Sequence, residues 1–201
     1  MHEHDDGPDQ QHDHQHDDHA PIEADEPEGH YQLLAAATRE LLIEKGYFNA
    51  DDVRAMIEAI DDRSPALGAK VVARAWSDPQ FKKRLLANGR KTLEDEFDLD
   101  VVVADLVVVE NTPDIHNVIV CTLCSCYPVF VLGRPPDWYK SAAYRSRVIR
   151  EPRAVLREFG TEIADNREVR VHDSTADMRY LVLPMRPEGA DEMAEEDLAA
   201  L

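Results

Sequence analysis

Two runs of strand length, "VVVADLVVVE" at 101–110 and "HNVIVC" at 116–121, constrain this chain more than any other feature, because the sequence before them is patterned for helix. Val and Ile fit a pleated, half-buried surface and lose side-chain freedom in a helix. The second run stops at a turn, "CTLCSC", that holds all three cysteines of the 201-residue chain: Cys121, Cys124 and Cys126. A strand feeding a cysteine-dense turn is the feature that any fold here must accommodate.

Upstream of the runs, Leu33, Leu34, Ala37, Leu41 and Leu42 recur at helical spacing from Tyr31, and Gly46 is placed to end that helix. Asn49 is a cap for a second helix reaching about Ile60. Ser64 before Pro65 opens a third, with Leu67, Val71, Val72 and Trp76 on its apolar side; Ser77-Asp78-Pro79 opens a fourth that ends near Gly89. Downstream, "RPPDWYKSAAYRSRVIREPRAVLREFG" reads as a Pro-initiated helical stretch broken again at Pro152, and "REVRVHDS" and "RYLVLP" read as two more strands. Strands, then helices, then strands predict an α+β fold with layered packing. The boundaries expected are a His/Asp-rich disordered tail at 1–30, a helical arm at 31–95, and a layered α/β metal-binding domain at 96–201.

The tail carries eleven Asp or Glu, no Lys or Arg, and seven of the nine histidines, out of a formal net charge of −19 for the whole chain. So charged a segment, with almost no large apolar residue, cannot bury enough surface to offset the entropy of ordering. Its interleaved His and Asp are suited to holding divalent metal loosely, or to acting only as a solvated acidic tail. The acidic field excludes nucleic acid, which needs a basic face. No run of eighteen apolar residues and no basic-then-apolar leader is present, so no membrane partner is expected and the expected location is cytoplasmic. The acid excess outside the tail also fits a salt-adapted surface.

Three cysteines within six positions are too close for a useful loop-closing bridge, which leaves reactive thiols or a metal. A turn closed around one ion offers the thiolates of Cys124 and Cys126 flanking the backbone nitrogens of Ser125 and Cys126. If both amides lose their protons, these four donors form an S-N-N-S belt in one plane. Cys121 then supplies a third sulfur from below, and one position stays open. Three thiolates and two amidates favour a trivalent late transition metal, Co(III) or Fe(III), over zinc, which prefers a tetrahedron. An ion so held acts as a Lewis acid, polarising a nitrile or lowering the pKa of water. Its electron-rich sulfurs are candidates for stepwise oxidation, and each oxidised sulfur needs hydrogen-bond donors such as arginine.

Spacing alone leaves zinc open, with His116 or a tail histidine as fourth ligand, and leaves redox thiols or simple packing open as well. An iron–sulfur cluster ordinarily wants a fourth cysteine.

"VCTLCSCYP" is similar to the metal-claw motif of nitrile hydratase α subunits. "LGAKVVARAWSDPQFKKRLLANG", "VVENTPDIHNVIV", "PPDWYKSAAYRSRVIREPR" and "RYLVLPMRPEG" resemble the same family, so the resemblance covers most of Tyr31 to Gly189. It implies a helical N-terminal arm followed by a layered αββα domain. It implies one non-corrin Co(III), alternatively Fe(III), per subunit and hydration of a small-molecule nitrile to its amide. Cys121, Cys124 and Cys126 match sulfur ligands, and Ser125 and Cys126 match backbone-nitrogen ligands. Cys124 and Cys126 match the positions of the sulfinic and sulfenic acids, which with Ser125 form the catalytic set. The partner implied is a β-type subunit, forming αβ or (αβ)2 and supplying arginines to the oxidised sulfurs. Thr122 and Tyr127 resemble the cobalt branch.

Three departures from the family pattern stand out. Val129-Phe130 occupies the place where the family continues with Trp-Pro. After "RPEG" the chain reads "ADEMAEEDLAAL", where the family runs through Gly-Trp to a further strand. The His/Asp tail resembles the metal-bearing subunit of thiocyanate hydrolase, which shares the claw. Hydrolysis of thiocyanate is therefore the second expectation, and a non-catalytic metal-binding assembly subunit the third. Trp138, Tyr139, Tyr144, Arg145 and Arg147 fit either a pocket or an amphipathic helix on an interface. Arg150 and Arg153 are expected to pair with carboxylates or a partner, and His116 and His172 to be structural.

Overall fold

A computed structural model describes residues 29–97, 99, 104–124 and 126–201; the expected tail up to residue 28 and Ser125 lie outside these described residues. The helical arm opens with α1 (Gly29–Glu44), two residues ahead of the expected start, and α2 (Ala50–Asp61). Asn49 caps α2 as its residue type predicts. Its Oδ1 accepts from the amides of Asp51 at 2.8 Å and Asp52 at 3.0 Å, and the Asp52 carboxylate accepts from the Asn49 amide at 2.8 Å. Asp78 does the same for α4 (Pro79–Ala87), which follows α3 (Ala66–Ser77).

Helix α5 (Gly89–Phe97) was not expected, because Gly89 reads as a stop. Here it is a start: Asn88 accepts from the Lys91 amide at 3.0 Å, and Gly89 sits where a Cβ would lie 2.7 Å from the Leu106 carbonyl oxygen. Only a residue without a side chain lets the helix end approach the neighbouring strand so closely.

Among the described residues, four strands form two parallel pairs. β1 (Asp105–Glu110) pairs with β4 (Met178–Leu183), and β2 (Ile115–Val120) pairs with β3 (Glu168–Asp173). Consecutive strands therefore enter different sheets. The step between them is fixed by Asn111, whose side chain accepts from the Asn117 amide at 2.7 Å. Alternation along each strand sends one face to helices and the other to the facing sheet. Leu106, Val108, Leu181 and Leu183 join Val71, Phe81, Leu85 and Leu93 of α3, α4 and α5 in one core. Val118 and Val120 join Tyr139, Tyr144, Val148 and Val155 in a second, formed with α7 (Asp137–Lys140), α8 (Ala142–Arg150) and α9 (Pro152–Glu158). Between the sheets, His172 meets Asn117 Oδ1 at 2.8 Å and its ring lies 5.0 Å from that of Tyr180. Helices, sheet, sheet and helices make the αββα layering that the family resemblance implied. Each fully buried Leu or Phe in these cores contributes about 1.5–3 kcal/mol.

The acidic C-terminal stretch, in place of a further strand, forms α10 (Glu195–Leu198) and closes on α3: Leu198 and Ala190 bury against Ala73, and Arg74 pairs with Glu195 at 3.4 Å.

Candidate metal centre

Strand β2 delivers the cysteines. Its last residue, Val120, lies opposite Asp173, and the Ser174 amide donates to the Val120 carbonyl at 2.7 Å, so the pairing runs to the edge of the turn. Cys121 follows directly and is 1 % exposed, whereas Cys124 is exposed and Cys126 half-buried. Cys124 Sγ lies 3.5 Å from Cys121 Sγ and 3.3 Å from Cys126 Sγ, separations that exclude disulfides. All three sulfurs fall within 4.8 Å of one another, close enough to hold one ion. The Cys124 amide points to Cys121 Sγ at 3.4 Å, so the backbone already wraps around the first sulfur.

Crowding sets the protonation of these thiols. Burial first, then hydrogen bonds from the Cys124 and Cys121 sulfurs, push the Cys126 thiol up to about 12, against the pull of the Arg179 guanidinium. A cation beside Cys126 would offset that penalty on its thiolate.

The frame around the turn comes from β3 and from α7 and α8. Both carboxylate oxygens of Asp173 take Thr122: Oδ1 accepts from its amide at 2.9 Å, Oδ2 from its hydroxyl at 2.6 Å. Arg145 donates to the Thr122 carbonyl at 3.2 Å. The Tyr139 hydroxyl donates to the Cys126 carbonyl at 3.0 Å, and that of Tyr144 to the Ile119 carbonyl at 2.6 Å. Burial raises the pKa of both phenols, so they remain donors.

The expected residues therefore divide. Cys121, Cys124 and Cys126 come together; Ser125 lies outside the described residues. Trp138, Tyr139 and Tyr144 belong to one aromatic cluster inside the chain, with Trp138 and Tyr144 centroids 4.9 Å apart, and not to an exposed helix face. Arg147 is buried against Glu151 and Glu158, and Arg153 donates to the Ile163, Ala164 and Arg167 carbonyls where carboxylates were expected. Arg150 lines a groove of about 410 Å3 with Thr122, Arg145 and Ile149 beside the turn. Val129-Phe130 opens the short α6 (Val129–Leu132), and Phe130 packs on the α3 core. Among the described residues neither His116 nor His172 joins the sulfur group. Asp173 was missed: it is 51 residues from Thr122, and only the parallel register brings it there.

Residues 29–201 match the family model described as nitrile hydratase, alpha chain. The cobalt-containing nitrile hydratase subunit alpha of Pseudonocardia thermophila is 48 % identical over 167 residues, covering 82 % of each chain. Thiocyanate hydrolase subunit gamma of Thiobacillus thioparus is 40 % identical over 182 residues, covering 85 % of this chain and 75 % of its own. Among solved structures, a double variant of the Fe-type nitrile hydratase of Comamonas testosteroni Ni1 superposes with a TM-score of 0.80 at 40 % identity, covering 87 % of this chain and 86 % of that one.

Proposed function

The chain belongs to the nitrile hydratase α-chain family, and from that premise we propose that it is the metal-bearing subunit of a cobalt-type enzyme that hydrates a nitrile to its amide. The observation that carries this reading is the convergence of three sulfurs within 4.8 Å at the end of a strand, with no histidine or carboxylate of the described residues among them to favour zinc. The donor set fits the group: soft sulfurs suit a late transition metal, and the three Sγ atoms lie close enough together to share one ion. We assign Cys121, Cys124 and Cys126 as sulfur ligands, with backbone nitrogens of Ser125 and Cys126 completing the set, and Co(III), alternatively Fe(III), as the ion. When bound, the ion supplies Lewis acidity that polarises a nitrile and acidifies water.

The chain's own part is to hold and to shield. Cys121, buried at the strand end, is the anchor that oxidant does not reach; Cys124 is exposed and Cys126 only half-buried, which supports their conversion to sulfinic and sulfenic acids. The Tyr139 hydroxyl fixes the backbone of Cys126, a member of the expected catalytic set. A β-type partner, in αβ or (αβ)2, is supported by the arm. Helix α1 buries none of its residues, and Tyr31, Leu33, Leu34 and Leu41 are exposed on it.

Co-expression with a β-type partner and cobalt is expected to give amide from a simple nitrile, and two added oxygens on Cys124 and one on Cys126 by mass spectrometry of the 121–126 peptide. A cobalt-loaded complex that leaves nitriles untouched sinks the reading. Turnover of thiocyanate in their place would move the chain to the chemistry named for its Thiobacillus relative.

A further inference from the structure

We propose that Asp173 is a positioning residue of the metal centre: acting through Thr122, its carboxylate sets the path of the cysteine turn before any ion is present. The proposal rests on the metal-centre reading above and adds a residue that contributes no ligand. Thr122 is the first residue after the anchor sulfur, and every one of its polar groups is taken. Its amide and hydroxyl go to Asp173, and its carbonyl to Arg145. The hydroxyl contact of 2.6 Å lies in the range of a charge-assisted O–H···O− bond, about twice as strong as a neutral one.

Two oxygens gripping one residue fix its orientation as well as its position, which a single contact does not. The clamp is rigid at its own base. Asp173 ends β3 opposite Val120, and the Ser174 amide continues the ladder one step further at 2.7 Å. Both ends of the grip, Val120-Cys121-Thr122 and Asp173-Ser174, are thus parts of one strand pair. The turn departs from that pair at Thr122, and the Cys124 amide reaches back to Cys121 Sγ. Asp173 is absent from the group of side chains that converge on the ion, so its charge is spent on the backbone and not on the metal. Groups that hold ligands in place in this way commonly govern metal affinity by about ten- to a hundred-fold.

The experiment uses the cobalt-loaded complex with the β-type partner. Cobalt per α chain at limiting supply and the sulfur-to-cobalt charge-transfer absorption are read for the wild type, Asp173→Ala, Asp173→Asn, Thr122→Val and Thr122→Ser. Asn49→Ala, in the helical arm, controls for stability lost without loss of the clamp. Asp173→Ala is expected to lower cobalt affinity by about ten-fold or more and to shift the absorption. Asp173→Asn, which keeps one acceptor, should fall between, Thr122→Ser should match the wild type, and Thr122→Val should lose part of the affinity. Cobalt content and spectrum unchanged in Asp173→Ala overturn the proposal. If that variant fails to assemble, Thr122→Val decides, and an unchanged centre there overturns it equally. A wild-type complex that takes up no cobalt overturns the metal-centre reading itself, and the clamp with it.

Discussion

At the scale of single residues, the turn is built from groups whose value lies in what they hold. The Tyr139 phenol, buried among Tyr127, Trp138 and Tyr144, aims its proton at the Cys126 carbonyl. Tyr139→Phe keeps the ring packing and leaves that carbonyl without this donor, so it should cost about 1 kcal/mol in urea unfolding. The same change should lower turnover more than it lowers stability; equal activity per folded complex would show that the hydroxyl only packs. The clustering of the three cysteines was legible in the sequence because residues adjacent along one turn need no tertiary information to come together. Asp173 was not, since nothing in "REVRVHDS" says which residue of another strand it will face. Tyr139 and Tyr144 stood in between: their positions were visible, and their burial, which turns them into donors to the turn, was not.

Whole elements were read most securely where a cap has its own chemistry. Asn49 and Asp78 announced α2 and α4, and the strands followed from their β-branched runs. The fourth helix does end near Gly89, at Ala87; what went unread is that Gly89 also opens α5, a role set by the close approach of β1 and not by its own turn preference. Gly89→Ala should force the start of α5 away from the Leu106 carbonyl and cost about 1–3 kcal/mol, checked by denaturant midpoint; a neutral result would mean the helix end shifts freely. Asp78 makes a second test. The Phe81 amide, foremost, with the Gln80 amide and nearby arginines holds its carboxyl below the usual aspartate value. A lowered folded-state pKa means the unfolded chain takes up the proton first, so the stabilisation is complete above the ordinary aspartate range and is lost as pH falls through the folded value. The stability gap between wild type and Asp78→Ala should therefore be full at neutral pH and shrink below about pH 4. A gap constant to lower pH would assign the cap no charge. The pairing pattern was not read from the sequence: Asn111 and Asn117 join the end of β1 to β2, which pair into separate parallel sheets.

Across the molecule, the layered half and the arm differ in how they are held. Both cores lie between α3 and β4, while α1 has no buried residue and among the described residues carries several of the large exposed apolar side chains. Hydrogen exchange should find α1 amides poorly protected in the isolated chain and protected in the complex with a β-type partner; protection already present in the isolated chain would remove the arm from the interface.

The pairing of β2 with β3 also sets a clock. The cysteines leave the ribosome well before the segment that frames them, and at about 5–20 residues per second the roughly fifty intervening residues take some 2 to 10 seconds to follow. During that interval the three thiols are exposed to whatever ions and oxidants the compartment holds, with no strand pair to direct them. A small zinc domain can be nucleated by its metal, whereas the strand pair that frames this turn forms only after a long-range parallel crossover has closed. The frame of the turn is thus completed late, and protection of the nascent thiols is an early need.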